Sequence, residues 1–79
     1  MQKELILEEL KGLIKQIRPS IDISGVTEQT ELVRELGLDS LTILLLSLGI
    51  ENKFGFQFKG APKFNTVGQV IEFVQEQTA

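Results

Sequence analysis

The sequence predicts an all-α protein, a small helical bundle. Three observations predict it. Apolar residues recur at three- and four-residue spacing near each end of the chain and again in the middle. No alternating run is long enough for a sheet: "FGFQF" alternates, but a lone short strand has no partner. Turn and start signals at Pro19, Gly55, Gly60, Pro62 and Thr66 fall between the periodic stretches. At 79 residues the chain fits one domain, spanning 1–79.

The first helix shows Ile6, Leu10, Leu13 and Ile17 in one stripe, with Leu7 and Ile14 on its flank. Gly12 weakens it and Pro19 ends it. A long connection follows, "PSIDISGVTEQTELVRELGL". Its length predicts packing or function, with Ile21, Ile23 and Val26 turned to the core. "TELVREL" suits a helical turn with Leu32 and Leu36 on one side. The second helix starts near Ser40 with Asp39 as N-cap and ends near Phe54, where Gly55 suits a left-handed cap. "GFQFKGAPKFN" reads as irregular chain anchored by its Phe side chains, with room for one short helical turn. The last helix opens at Thr66, with Gln69 completing a capping box, and buries Val67, Val70, Ile71 and Val74. The tail "QEQTA" is expected to fray.

The second helix is unusual. At about 100° per residue, Ile43, Leu46, Ile50 and Phe54 share one side, enough for a core face. Leu41, Leu44, Leu45 and Leu48 share the opposite side. A helix apolar all round is normally buried all round, and so short a chain has little left to cover a second face. The expectation is an exposed interaction surface. The alternatives are cover from the 19–38 connection, through Leu32 and Leu36, or a homodimer through the leucines.

Composition excludes several functions. Without cysteine there is no disulfide, no thiolate zinc site and no thiol nucleophile, which favours a cytoplasmic protein. Without histidine the commonest general base and metal ligand are missing. No base–nucleophile pair or metal cluster can be assembled, so the chain reads as a non-enzyme with no catalytic and no metal-binding residues. The net charge is −3, with acids Glu28, Glu31, Glu35, Asp39 and Glu51 before the bases Lys53, Lys59 and Lys63. That is no basic stripe for nucleic acid. The longest apolar run, Ile43–Leu46, is too short to span a membrane, and the N-terminus does not read as a signal peptide.

Ser40 stands at the first helical position, near free amides and the positive end of the helix dipole. Such a place suits a phosphate. Without a histidine to act as base it does not suit a self-activated nucleophile. On residue type and position alone, an ordinary helix-start serine is the favoured reading.

"LGLDSL" resembles the attachment motif of acyl carrier proteins, LG-x-DSL. The resemblance extends over nearly the whole chain: the first amphipathic helix, the long loop, Gly37-Leu38-Asp39-Ser40-Leu41 opening the second helix, Phe54 near its end, and Thr66-Val67 opening the last. It implies a right-handed bundle of three main helices plus a short one. It implies that Ser40 is esterified with the phosphopantetheine arm of coenzyme A by a separate, magnesium-dependent transferase. The arm's thiol would then carry acyl groups as thioesters, so the missing cysteine would arrive with the cofactor. By the same resemblance Asp39 and Leu41 are contacts for the transferase and other partners; the open face of the second helix adds Leu44, Leu45 and Leu48, and Glu51 is the acid retained there, so that acyl-loading and synthase enzymes read this surface on a monomeric carrier. "GLDSL" fits the acyl branch of the superfamily better than the peptidyl branch. Typical fatty-acid carriers have acids where this chain has Thr42 and Leu45, and here Asn52, Lys53, Lys59 and Lys63 dilute the acidic run further. This favours a specialised carrier of fatty-acid, polyketide or related lipid synthesis. The alternatives are a peptidyl carrier and a cofactor-free interaction module docking through the leucines.

Overall fold

A computed structural model describes residues 2–58 and 64–78. Its helices are α1 (Lys3–Ile17), α2 (Ser40–Phe54) and α3 (Val67–Thr78). Among the described residues there is no strand, only one isolated antiparallel bridge between Glu31 and Thr66. The all-α expectation holds. The short extra turn expected within 55–65 falls largely on 59–63, outside the described residues.

Helix α1 packs against both α2 and α3. Its most deeply buried row is Ile6, Leu10 and Ile14, while Leu7, Leu13 and Ile17 are partly covered. The expected stripe is therefore recentred on Ile14. A helix shared by two neighbours buries the arc between them, and Leu13 lies on the α2 flank, against Gly49. The pairing Lys53–Glu9, at 2.9 Å, and the contact of Leu13 with Gly49 make α1 and α2 antiparallel. α1 ends where the Arg18 amide donates to the Ile14 carbonyl and Pro19 follows.

The connection is packed, as its length requires. Val26 and Leu32 are in the core, and Ile21, Ile23 and Leu36 are packed against it. Glu35 N–H donates to the Glu31 carbonyl and Gly37 N–H to that of Val33, which forms the expected helical turn. Three backbone bonds join the connection to the start of α3: Leu32 N–H to Asn65 O, Val67 N–H to Thr30 O and Gly68 N–H to Glu28 O, at 2.8–3.0 Å. The last two satisfy amides that a helix start otherwise leaves without partners. Thr66 and Gln69 form the capping box, each side chain accepting from the other's amide at 3.3 Å.

α3 buries Val67, Val70, Ile71 and Val74 as expected. It does not fray at Gln75. The helix runs to Thr78, whose hydroxyl donates back to the Val74 carbonyl. Past α2, Phe56, Phe58 and Phe64 cluster with Phe73 of α3, and the Phe58 and Phe73 rings stack 5.0 Å apart. These four rings form an aromatic anchor, with no strand among the described residues.

Candidate functional site

The local structure of "LGLDS" follows from what each residue can do. Gly37 takes φ +68°, a conformation other residues avoid, and stops the 31–37 turn. Leu38 drops into the core, 1 % exposed, and its amide donates to the Leu32 carbonyl. The chain is thereby pinned one residue before the helix cap. Asp39 is extended, and its Oδ1 accepts from both the Thr42 amide at 2.8 Å and the Thr42 hydroxyl at 2.7 Å. These bonds, the amide first and the hydroxyl next, hold the Asp39 carboxyl below the ordinary carboxylate range, and the charge of Arg18 adds to the effect.

Ser40 follows as the first residue of α2 and is exposed. Its hydroxyl has no hydrogen bond to any described residue. The Thr42 and Ile43 amides are taken by Asp39, which leaves the Ser40 and Leu41 amides without partners among the described residues. No acid lies in the first turn of the helix. An accessible hydroxyl, free amides and a positive helix end suit a phosphate ester. Asp39 Oδ1, engaged by Thr42, serves as the cap of α2.

Leu41, Leu44, Leu45 and Leu48 run down α2 from Ser40 and are 44–65 % exposed. Leu32 does not cover them because it is spent on the core, and Leu36 is packed there too. The opposite arc of α2 is buried, but through partly different residues than the apolar pattern suggested. Leu46 and Ile50 are buried together with Thr42 and Ser47, while Ile43 and Phe54 are only partly buried. Polar side chains enter the core because each is satisfied locally, Thr42 by Asp39 and Ser47 by the Ile43 carbonyl at 2.8 Å.

Glu51 lies apart from the leucine group in what it does. It is half-buried, and its Oε2 accepts the Phe58 amide at 2.7 Å, tying the aromatic segment to α2. Sequence reading gave it a place on the recognition surface, and the long reach from Glu51 to Phe58 adds a structural role that no periodicity signals. Leu38 was likewise missed, since a single leucine between Gly and Asp belongs to no periodic pattern. Among the described residues no group of three potential ligands could hold a metal ion. None of the described helices is long and apolar enough to cross a membrane.

The family model for the phosphopantetheine attachment site matches residues 5–74. The acyl carrier protein of Coprothermobacter proteolyticus is 32 % identical over 77 residues, covering 95 % of this chain and 93 % of the relative. That of Thermotoga maritima is 31 % identical over 77 residues, covering 95 % and 94 %. That of Helicobacter pylori is 30 % identical over 73 residues, covering 90 % and 92 %.

Proposed function

Because the chain belongs to the phosphopantetheine attachment-site family of carrier proteins, we propose that Ser40 is the residue that carries the arm. A member of this family is a carrier, acted on by other enzymes, and phosphopantetheine is its cofactor. One observation carries the assignment to Ser40: an exposed hydroxyl with no hydrogen bond to a described residue, at a capped helix start whose first two amides have no partner among the described residues. When attached, the arm supplies the thiol that the chain lacks, and acyl intermediates ride on it as thioesters.

The route served is a specialised one, fatty-acid, polyketide or related lipid synthesis. What supports this is the surface beside Ser40. From Ser40 to Ile50 there is no charged residue, and the exposed side is leucine. Long-range charge steering is correspondingly weak there, and apolar contact dominates. The transferase and the acyl-loading and synthase enzymes dock over Asp39, Leu41, Leu44, Leu45, Leu48 and Glu51. The carrier works as a cytoplasmic monomer in a single domain spanning 1–79.

The test is intact mass. Incubation with coenzyme A, magnesium and a broad-specificity phosphopantetheinyl transferase is expected to add one arm, and Ser40→Ala to prevent it. A folded sample that gains no mass would refute the assignment. The open leucine face favours one second reading, a module that binds a partner without a cofactor. In that case Leu45→Glu abolishes binding and Ser40→Ala leaves it intact.

A further inference from the structure

We propose that Gly12 is a docking residue: it keeps a groove between α1 and α2 open for a neutral apolar side chain of the transferase that loads Ser40. The proposal rests on attachment at Ser40, and it adds a second helix to the surface that this enzyme reads.

Each of the three described helices contains one glycine. Glycine inside a helix weakens it, so each calls for a reason. For two of them the reason is a neighbour pressed against the bare backbone. A Cβ at Gly49 would meet Leu13 Cδ2 at 3.2 Å, and one at Gly68 would meet the Glu28 carbonyl oxygen at 2.9 Å. Gly12 has no such neighbour and no positive φ: no atom of the described residues lies within 4 Å of the place a Cβ would take. It is exposed, in the middle of α1. No described part of the chain uses its bareness, which points to a group from another molecule.

The surroundings of Gly12 have the shape for such a group. Glu8, Glu9, Gly12, Leu13, Gln16 and Lys53 line an open groove of about 230 Å³ between α1 and α2. Glu9 and Lys53 neutralise each other across it at 2.9 Å. Glu8 is exposed, with Lys11 three residues on along the same helix. Neither sign of charge dominates, so the groove suits a neutral apolar side chain, with half-buried Leu13 and bare Gly12 to receive it.

The groove is also continuous with the leucine face. Leu41, Leu45, Gly49 and Lys53 follow at four-residue steps, one ridge down α2 that begins next to Ser40. Where that ridge lacks a side chain, at Gly49, Leu13 of α1 fills the gap, and Gly12 is the next residue along α1. An enzyme whose active site reaches the Ser40 hydroxyl lies over Leu41 and Leu45, and the same ridge leads it onto α1. Gly49 stands about 13–14 Å along the helix from Ser40. That is inside the span of an interface burying about 800 Å² per partner, roughly 30 Å across. A second copy of this chain is the less favoured occupant, because four exposed leucines fall well short of the roughly 20–30 residues a side that a stable dimer uses.

The test follows loading of the whole chain by a broad-specificity phosphopantetheinyl transferase with coenzyme A and magnesium, read by intact mass. Wild type, Gly12→Ala and Gly12→Gln are compared over a range of carrier concentrations. Glutamine forms helix better than glycine and meets no clash, so Gly12→Gln is expected to melt about 2–6 °C above wild type. Its side chain fills the groove. KM for the carrier is therefore expected to rise about ten-fold, while kcat changes by less than about two-fold. Gly12→Ala is expected to melt higher too, with a KM rise below about three-fold. A stabilised Gly12→Gln that loads with the wild-type KM overturns the proposal and leaves Ser40 as the attachment point. Sedimentation of the unloaded samples checks the other occupant: a wild-type dimer that Gly12→Gln dissociates overturns the proposal in favour of a second copy. A folded wild type that gains no mass refutes attachment at Ser40, and the proposal with it.

Discussion

Two glycines in helices should respond to alanine with opposite signs. Gly12 lies in mid-α1, exposed, with nothing within 4 Å of the position a Cβ would take. Gly68 lies in the first turn of α3, and a Cβ there would sit 2.9 Å from the Glu28 carbonyl oxygen. That oxygen also accepts the Gly68 amide at 2.8 Å, so it cannot withdraw without losing the bond. Gly12→Ala is expected to stabilise by about 0.5–1 kcal/mol, the ordinary helix gain. Gly68→Ala starts from the same gain at most. Against it stand a lost backbone bond of about 1 kcal/mol and crowding of about 1–3 kcal/mol. The net expectation is a loss of about 1–3 kcal/mol. With about 4–8 °C per kcal/mol for a chain of this size, thermal melts resolve the two signs. The effect should reach the site. The Glu28–Leu32 segment leads into the 31–37 turn, which delivers Leu38 and Asp39 to the start of α2. Amide exchange at Leu32 and Leu38 should therefore speed up in Gly68→Ala and stay unchanged in Gly12→Ala. Equal stabilisation by both alanines would show that the contact between the connection and α3 is not tight, and the reasoning would fail.

Three further outcomes are expected. Leu45 is already a little over half covered, so Leu45→Glu should cost only about 1 kcal/mol, whereas Leu46→Ala should cost about 2–5 kcal/mol because Leu46 is 3 % exposed. Urea titrations check the pair, and similar losses would mean that the leucine face is buried. Gly37→Ala should destabilise by about 1–2 kcal/mol because φ is +68° there, although a Cβ would meet nothing; chemical denaturation reads it directly. The lowered Asp39 carboxyl contributes stability that is present above the ordinary carboxylate range and lost as pH falls through its folded value. Melts taken from neutral to acid pH should fall, and Asp39→Asn should flatten that fall, although Asp22, lowered by its bonds from Ser24, keeps part of it.

The helical class, the three helices and the attachment motif are legible in the residues alone. Each rests on local rules. Three- and four-residue spacing marks a helix whichever neighbour it meets, Asp39 caps with its own side chain, Gly55 closes α2 with φ +76°, and Thr66 and Gln69 cap each other within one turn. The exposure of Leu41, Leu44, Leu45 and Leu48 was also legible, because so short a chain has no apolar surface to spare for a second face. The remainder depends on how the helices pack. Which row of α1 is innermost depends on sharing that helix between two partners. Leu38 becomes core because Gly37 turns it there. Glu51 is tied to Phe58, and Gly68 to Glu28, across separations that no periodicity reports.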